Sequence, residues 1–186
     1  VSGEVQPVFF YELGDPHCYL AAEQITSALG VVAEWEPVHA AALGLTSADP
    51  DREAIAERVG ELGLQPLRWP AGWPPDTARA ALAATYAKRT GRGVSFSLAA
   101  FRQAFAGGRD LGDDGTILIA AAACEMHPAA VLKGIALRSV QDALTAANRR
   151  AWAAGVDALP AIELDGQLFR GRGALRDAAT RIGLDA

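Results

Sequence analysis

The first forty residues constrain the fold more tightly than any later stretch. Val5 to Tyr11 (VQPVFFY) is short, β-branched and aromatic, the pattern of a buried strand. Asp15-Pro16 follows. The aspartate offers an N-cap oxygen, and a proline in the first helical position loses no needed donor. A helix is therefore predicted from Pro16 to Leu29, with Gly30 placed to end it. Val31 to Val38 (VVAEWEPV) reads as a second strand. Val31, Ala33, Trp35 and Pro37 alternate with Val32, Glu34, Glu36 and Val38, so one face is more polar. Two strands joined through a helix are expected to lie parallel and adjacent.

The next stretch reads as helical, with short helices expected over Asp51–Leu62, Asp76–Thr90, Ser97–Phe105, Asp113–Met126, from Pro128, and over Ser139–Ala154. Gln65 to Pro75 (QPLRWPAGWPP) is a loop, because its prolines cannot sit inside a regular helix. Strand character returns at Ala161–Leu164 and Gln167–Phe169, with Asp165-Gly166 between them as a strong hairpin turn signal. A last helix is expected over Ala174–Ile182, stopped by Gly183. The β-containing ends are each too small to hold a core, so they are expected to pair in one sheet. This gives an α/β fold in which residues 1–38 and 155–186 form one domain around a helical insertion, 39–154.

Composition removes several functions. A net charge of −5 argues against a nucleic-acid binder. No apolar run reaches the roughly 18 residues of a membrane span, and the opening residues lack a secretory pattern. A cytoplasmic protein is expected, without membrane or nucleic-acid partners. Cys18 and Cys124 are the only cysteines, too few for a disulfide scaffold or a four-thiolate zinc site. His39 and His127 have no neighbour at metal-ligand spacing, and no metal is expected.

Four places can carry chemistry. Asp15-Pro16-His17-Cys18 stands at a strand-to-helix junction, where the helix dipole favours negative charge. A first-turn thiol there is expected to have a lowered pKa, and His17 can shuttle a proton. The same residues also fit a cap, a first-turn proline and a small buried apolar residue. Leu159-Pro160 precedes a strand; a cis bond there holds backbone groups open for a ligand, and a trans bond merely starts the strand. Arg170-Gly171-Arg172-Gly173 can receive a carboxylate at a helix start, or be a solvated turn. Arg68, Trp69 and Trp73 can line an apolar substrate pocket, or form a satellite of the core.

Together, FFYELGDPHCYLAAEQI, PLRWPAGWPPDT and GVDALPAIELDGQLFRG, in the order β-α-β, helices, β-β-α, resemble the DsbA-related branch of the thioredoxin-like superfamily. The resemblance is strongest to 2-hydroxychromene-2-carboxylate isomerases and kappa-class glutathione transferases. It implies a thioredoxin-like sheet with a large all-helical insertion. It also implies a thiol cofactor, glutathione or another low-molecular-weight thiol, and a small aromatic carboxylate as substrate; related proteins are often homodimers. The oxidoreductases of the group begin this helix with Cys-Pro-His-Cys, and the isomerases and transferases have serine at the first position. Here that position is Asp15, a departure from both. The resemblance places Asp15, His17 and Cys18 in the catalytic position and Leu159, Pro160, Arg172 and Gly173 against the cofactor. Where the transferases carry a Ser/Asp pair after the last strand, this chain reads Arg172-Gly173. A thiol-dependent isomerase or transferase is the leading expectation. A single-cysteine oxidoreductase working through Cys18 and a non-catalytic binding protein are the competing ones.

Overall fold

The computed structural model describes residues 6–46 and 49–183. Val5, assigned above to the first strand, lies outside them. Strand β1 (Val8–Tyr11) leads through α1 (Pro16–Leu29) to β2 (Glu34–Pro37). A short 3-10 turn over Ala40–Leu43 is followed by α2 (Arg52–Glu61), α3 (Ala78–Arg89), α4 (Gly93–Phe105), α5 (Asp114–Ala122), α6 (Pro128–Ala136) and α7 (Arg138–Ala153). The chain then forms β3 (Ala161–Leu164), β4 (Gln167–Arg170) and α8 (Ala174–Ile182). Among the described residues no helix is long and apolar enough to cross a membrane.

The two β-containing ends do join. The sheet has the order β2-β1-β3-β4. β1 pairs parallel with β2, Phe9 opposite Trp35, and antiparallel with β3, Phe9 opposite Ile162. β3 and β4 form the expected hairpin, with Asp165 (φ 52) and Gly166 (φ 75) both in the left-handed region that a tight two-residue turn requires. The fold is a mixed α/β sheet with a helical insertion.

Both faces of β1 are covered, which explains its unbroken apolar run. Phe9, Phe10 and Tyr11 have no exposed surface. Phe9 and Tyr11 share one face, as alternation demands. Their rings stack at 5.2 Å, and Trp35 meets them edge-on at 5.1 and 5.5 Å. Phe101 of α4 closes this layer, 5.9 Å from Tyr11. The Tyr11 hydroxyl bonds the buried Ser97 of α4 at 2.6 Å, so β1 and α4 are tied by a polar contact inside an apolar layer. Burying each such ring stabilises the fold by roughly 1.5–3 kcal/mol.

The opposite face carries charge, held in a closed set. Glu36 reaches Lys88 of α3 at 2.8 Å and Arg150 of α7 at 3.0 Å. Glu34 reaches the same two cations at 2.9 and 3.1 Å. Two carboxylates thus face two cations, and the polar edge of β2 is neutralised where α3 and α7 cross it. The second strand is shorter than its sequence suggests: Val31–Ala33 precede the ladder, whose first pair is Val8 with Glu34, and Val32 is exposed.

Candidate functional site

The turn between β1 and α1 is built by side chains that replace missing helix bonds. Asp15 has extended backbone dihedrals, and its Oδ1 accepts from the backbone N–H of His17 at 2.7 Å and of Cys18 at 3.0 Å. Two of the helix's free donors are thereby satisfied. The Asp15 N–H donates to the Glu12 carbonyl at 3.2 Å, closing the turn. Gly14 is required by packing: a Cβ there would come 2.8 Å from Thr77 Cγ2 and 3.0 Å from Pro75 Cγ. The 73–77 loop therefore rests directly on the turn that presents Asp15.

Glu12 carries no sequence signal and is the least expected member of this site. It is 3% exposed. Its carboxylate accepts from Ala40 N at 2.7 Å and Gly14 N at 3.3 Å, while its own N–H donates to Cys18 Sγ at 3.4 Å. It ties the end of β1 to the 3-10 turn after β2.

Electrostatics separate the three expected catalytic residues. Burial pushes the Asp15 carboxyl up to about 6; the two N–H donors and Arg172 oppose this and Glu12 adds to it. Desolvation outweighs the helix start. Burial, assisted by Arg172, lowers His17, so its imidazole is neutral at pH 7. Cys18 corrects an expectation. Its first-turn position suggested a lowered pKa, but the side chain has no exposed surface, and burial followed by the Asp15 charge pushes the thiol well up. The Sγ faces the interior rather than solvent.

The far end of the chain comes to the same place. The Leu159–Pro160 bond is cis. The Pro160 carbonyl accepts from Gly171 N at 2.9 Å, so the hairpin holds this loop. Leu159 N–H and C=O enter no hydrogen bond among the described residues; Leu159 is buried, and Pro160 rather than Leu159 lines the cavity described next. Gly173 caps α8 without a side-chain bond, and Arg172 just before it is exposed, with no ion pair or hydrogen bond among the described residues. His17, Pro160 and Arg172 all line one cavity of about 860 Å³. Its remaining walls come from α1, α2 and α8, with Arg58 and Arg176 among them. Arg176 lies one helical turn beyond Arg172, a spacing the sequence shows; nothing in the sequence marked Arg58.

Arg68, Trp69 and Trp73 do not line this cavity. Trp69 meets Trp73 edge-on at 5.4 Å and Phe105 at 6.1 Å, and Arg52 lies 4.8 Å from its ring centre. These tryptophans pack against the core as a satellite layer, and Arg68 is exposed beside them. Trp73 Nε1 is the only buried side-chain nitrogen or oxygen without a partner among the described residues.

The arrangement offers a carboxyl raised to about 6, a neutral imidazole, backbone groups at Leu159 that make no bond among the described residues, and an unpaired guanidinium.

Comparison with known proteins agrees with the architecture. The family described as DSBA-like thioredoxin domain matches residues 8–183. No curated protein sequence matches the chain. Among solved structures, a 2-hydroxychromene-2-carboxylate isomerase superposes with a TM-score of 0.84 at 13% identity, covering 96% of this chain and 95% of its own. A probable DsbA oxidoreductase from Streptomyces coelicolor gives 0.78 at 18%, covering 95% and 88%. The cytosolic disulfide reductase DsbM from Pseudomonas aeruginosa gives 0.71 at 18%, covering 96% and 97%, and a structure of it with GSH also matches. At these identities the likeness is one of fold.

Proposed function

Because the chain belongs to the DSBA-like thioredoxin domain family, we propose that it is a thiol-dependent isomerase or transferase of the 2-hydroxychromene-2-carboxylate isomerase type, acting on a small aromatic carboxylate. The observation that carries this reading is chemical. The position that would hold an attacking sulfur in a dithiol enzyme is a carboxyl, Asp15, and the one nearby thiol, Cys18, is sealed in the core. Disulfide exchange needs an accessible thiolate. The burial of Cys18 therefore weighs against the single-cysteine oxidoreductase reading.

A bound thiol such as glutathione supplies the nucleophilic sulfur that adds reversibly to an unsaturated carbon. The chain's own residues hold it and manage its proton. Leu159 N–H and C=O pair with the backbone of the thiol compound beside Pro160. Ionised at pH 7, Asp15 accepts the thiol proton as general base. Moving a proton from a thiol near 8.5 to a carboxyl about 2.5 units lower is uphill by roughly 3.4 kcal/mol, a modest share of an enzymatic barrier. An Asp15 of ordinary acidity would make that step costlier, so its desolvation favours the role. Neutral His17 beside it adds no charge and can relay the proton onward. Arg172 stands where the substrate carboxylate can be received.

The test is turnover of a hydroxychromene carboxylate with glutathione present. Asp15→Ala should abolish it while the far-UV spectrum stays native, and Asp15→Asn, which keeps the cap but cannot take a proton, should lose at least 100-fold in kcat. Unchanged turnover in Asp15→Asn removes Asp15 from the mechanism. Absence of turnover in the unaltered protein with any of several thiols removes the reading itself.

A further inference from the structure

The cavity beside His17 runs as a groove along α1. One face of that helix, from His17 through Leu20 and Gln24 to Ala28, lines it. Ile55 and Arg58 of α2, and Arg172 and Leu175 at the α8 end of the chain, complete the lining used here. In a chain of net charge −5, three guanidiniums line this groove, those of Arg58, Arg172 and Arg176. The one carboxylate in its lining, Glu23, is already bonded through both oxygens by Arg102, at 2.7 and 2.8 Å. The groove is therefore positive where the surface as a whole is not.

The cations are not equally engaged. Arg172 has no partner among the described residues. Arg176 pairs with its neighbour Asp177 at 3.1 Å. Arg58 pairs with Glu61 at 2.7 Å, but both side chains are about half exposed. Such a pair is worth about 0–1 kcal/mol and yields readily to a better-placed anion.

Their spacing follows from α1. Arg172 lies close enough to His17 and Asp15 to shift both their titrations. Arg58 Nη2 lies 3.4 Å from Gln24 Oε1. Seven residues of helix separate His17 from Gln24, roughly 10 Å at 1.5 Å per residue. Leu20, Ala21 and Ile55 are nearly buried beneath the groove, and its accessible apolar lining comes from the half-buried Leu62, Leu64 and Leu175, interleaved with polar groups.

We infer that this groove takes an elongated dianion, its body lying along the groove beside Leu62, Leu64 and Leu175, with one anionic group on Arg172 and the other roughly 10 Å away on Arg58. The inference goes beyond the proposed function: it rests on that reading only for treating the cavity as the ligand site and requires no thiol chemistry.

The experiment is calorimetric titration of the full chain, at low ionic strength, with suberate, succinate and octanoate. Suberate has an apolar body and two carboxylates about as far apart as the two guanidiniums. Succinate is too short to span them, and octanoate has the body with one charge. Suberate should bind at least tenfold more tightly than either. Arg58→Gln and Arg172→Gln, both at exposed positions, should each bring suberate to the affinity of octanoate, and Arg138→Gln on α7 should change nothing. Equal binding of the three acids, no binding of suberate, or an advantage that survives both substitutions overturns the inference. Suberate selectivity without hydroxychromene turnover retains the groove and removes the isomerase reading; turnover without selectivity does the reverse.

Discussion

Replacing Asp15 with asparagine should make the protein more stable at neutral pH and leave its stability nearly unchanged at acid pH. Asparagine caps helices about as well as aspartate, so the bonds to His17 N and Cys18 N survive the change. What it removes is a carboxyl raised from its ordinary 3.8 to about 6 by burial. A carboxyl raised on folding binds its proton more tightly in the native state. Its charged form therefore opposes folding, and stability falls as pH rises through the interval from about 4 to 6. The difference of about 2.2 units corresponds to roughly 3 kcal/mol, reached above pH 6 and vanishing below pH 4. Urea unfolding of both proteins at half-unit steps from pH 4.5 to 8 measures it. The difference between variant and parent should grow in favour of the variant with a midpoint near pH 5 and a plateau above about 6, although the variant is expected to be inactive. A variant equally or less stable at every pH would mean that Asp15 is an ordinary cap, and the argument for its proton chemistry would fail with it.

Other consequences can be checked with the same equipment. Tyr11→Phe leaves the buried Ser97 hydroxyl without its 2.6 Å partner and should cost about 1–3 kcal/mol; adding Ser97→Ala should recover most of that loss. Gly134→Ala places a Cβ 2.5 Å from the Tyr86 ring where α6 meets α3, and should destabilise by about 1–3 kcal/mol in urea unfolding. Cys18 should react with iodoacetamide at pH 8 only as fast as the protein unfolds, because its thiol is both buried and raised; rapid labelling of the native state, located by mass spectrometry, would contradict its placement.

What the sequence reveals is what backbone chemistry dictates locally. The ends of α1 follow from Asp15-Pro16 and Gly30, and the β3–β4 turn from Asp165-Gly166, since few other residues meet those dihedral demands. Boundaries set by tertiary contact are not legible in this way. α4 begins at Gly93, four residues before the expected Ser97, because Gly93 lies against Lys88 of α3 and a Cβ there would come 3.0 Å from Lys88 Cα. α5 ends at Ala122 rather than Met126: Glu125 adopts a positive φ of 58, and Met126 N turns back to the Ala121 carbonyl. α3 starts at Ala78, with Thr77 rather than Asp76 at the cap. Asp15, His17, Pro160 and Arg172 stand at helix ends and turns that the local sequence marks. Glu12 and Arg58 carry no such mark, since nothing local separates a glutamate buried under a turn, or an arginine facing a groove, from one in water. The tryptophans fit two readings in the sequence for a related reason: aromatic content reports affinity for apolar surroundings, and the core satisfies it as well as a ligand does.

The placement of β1 between β2 and β3 has a consequence for synthesis. Its bonds to β2 can form as soon as the first helix has emerged from the ribosome, but its other edge has no mate until Ala161–Glu163 have been translated, some 150 residues later. Throughout that interval a strand of fully apolar residues waits half-paired. Any transcript that stops before those codons yields a polypeptide whose central strand keeps an unprotected edge and whose cavity lacks the wall that Pro160 and Arg172 supply.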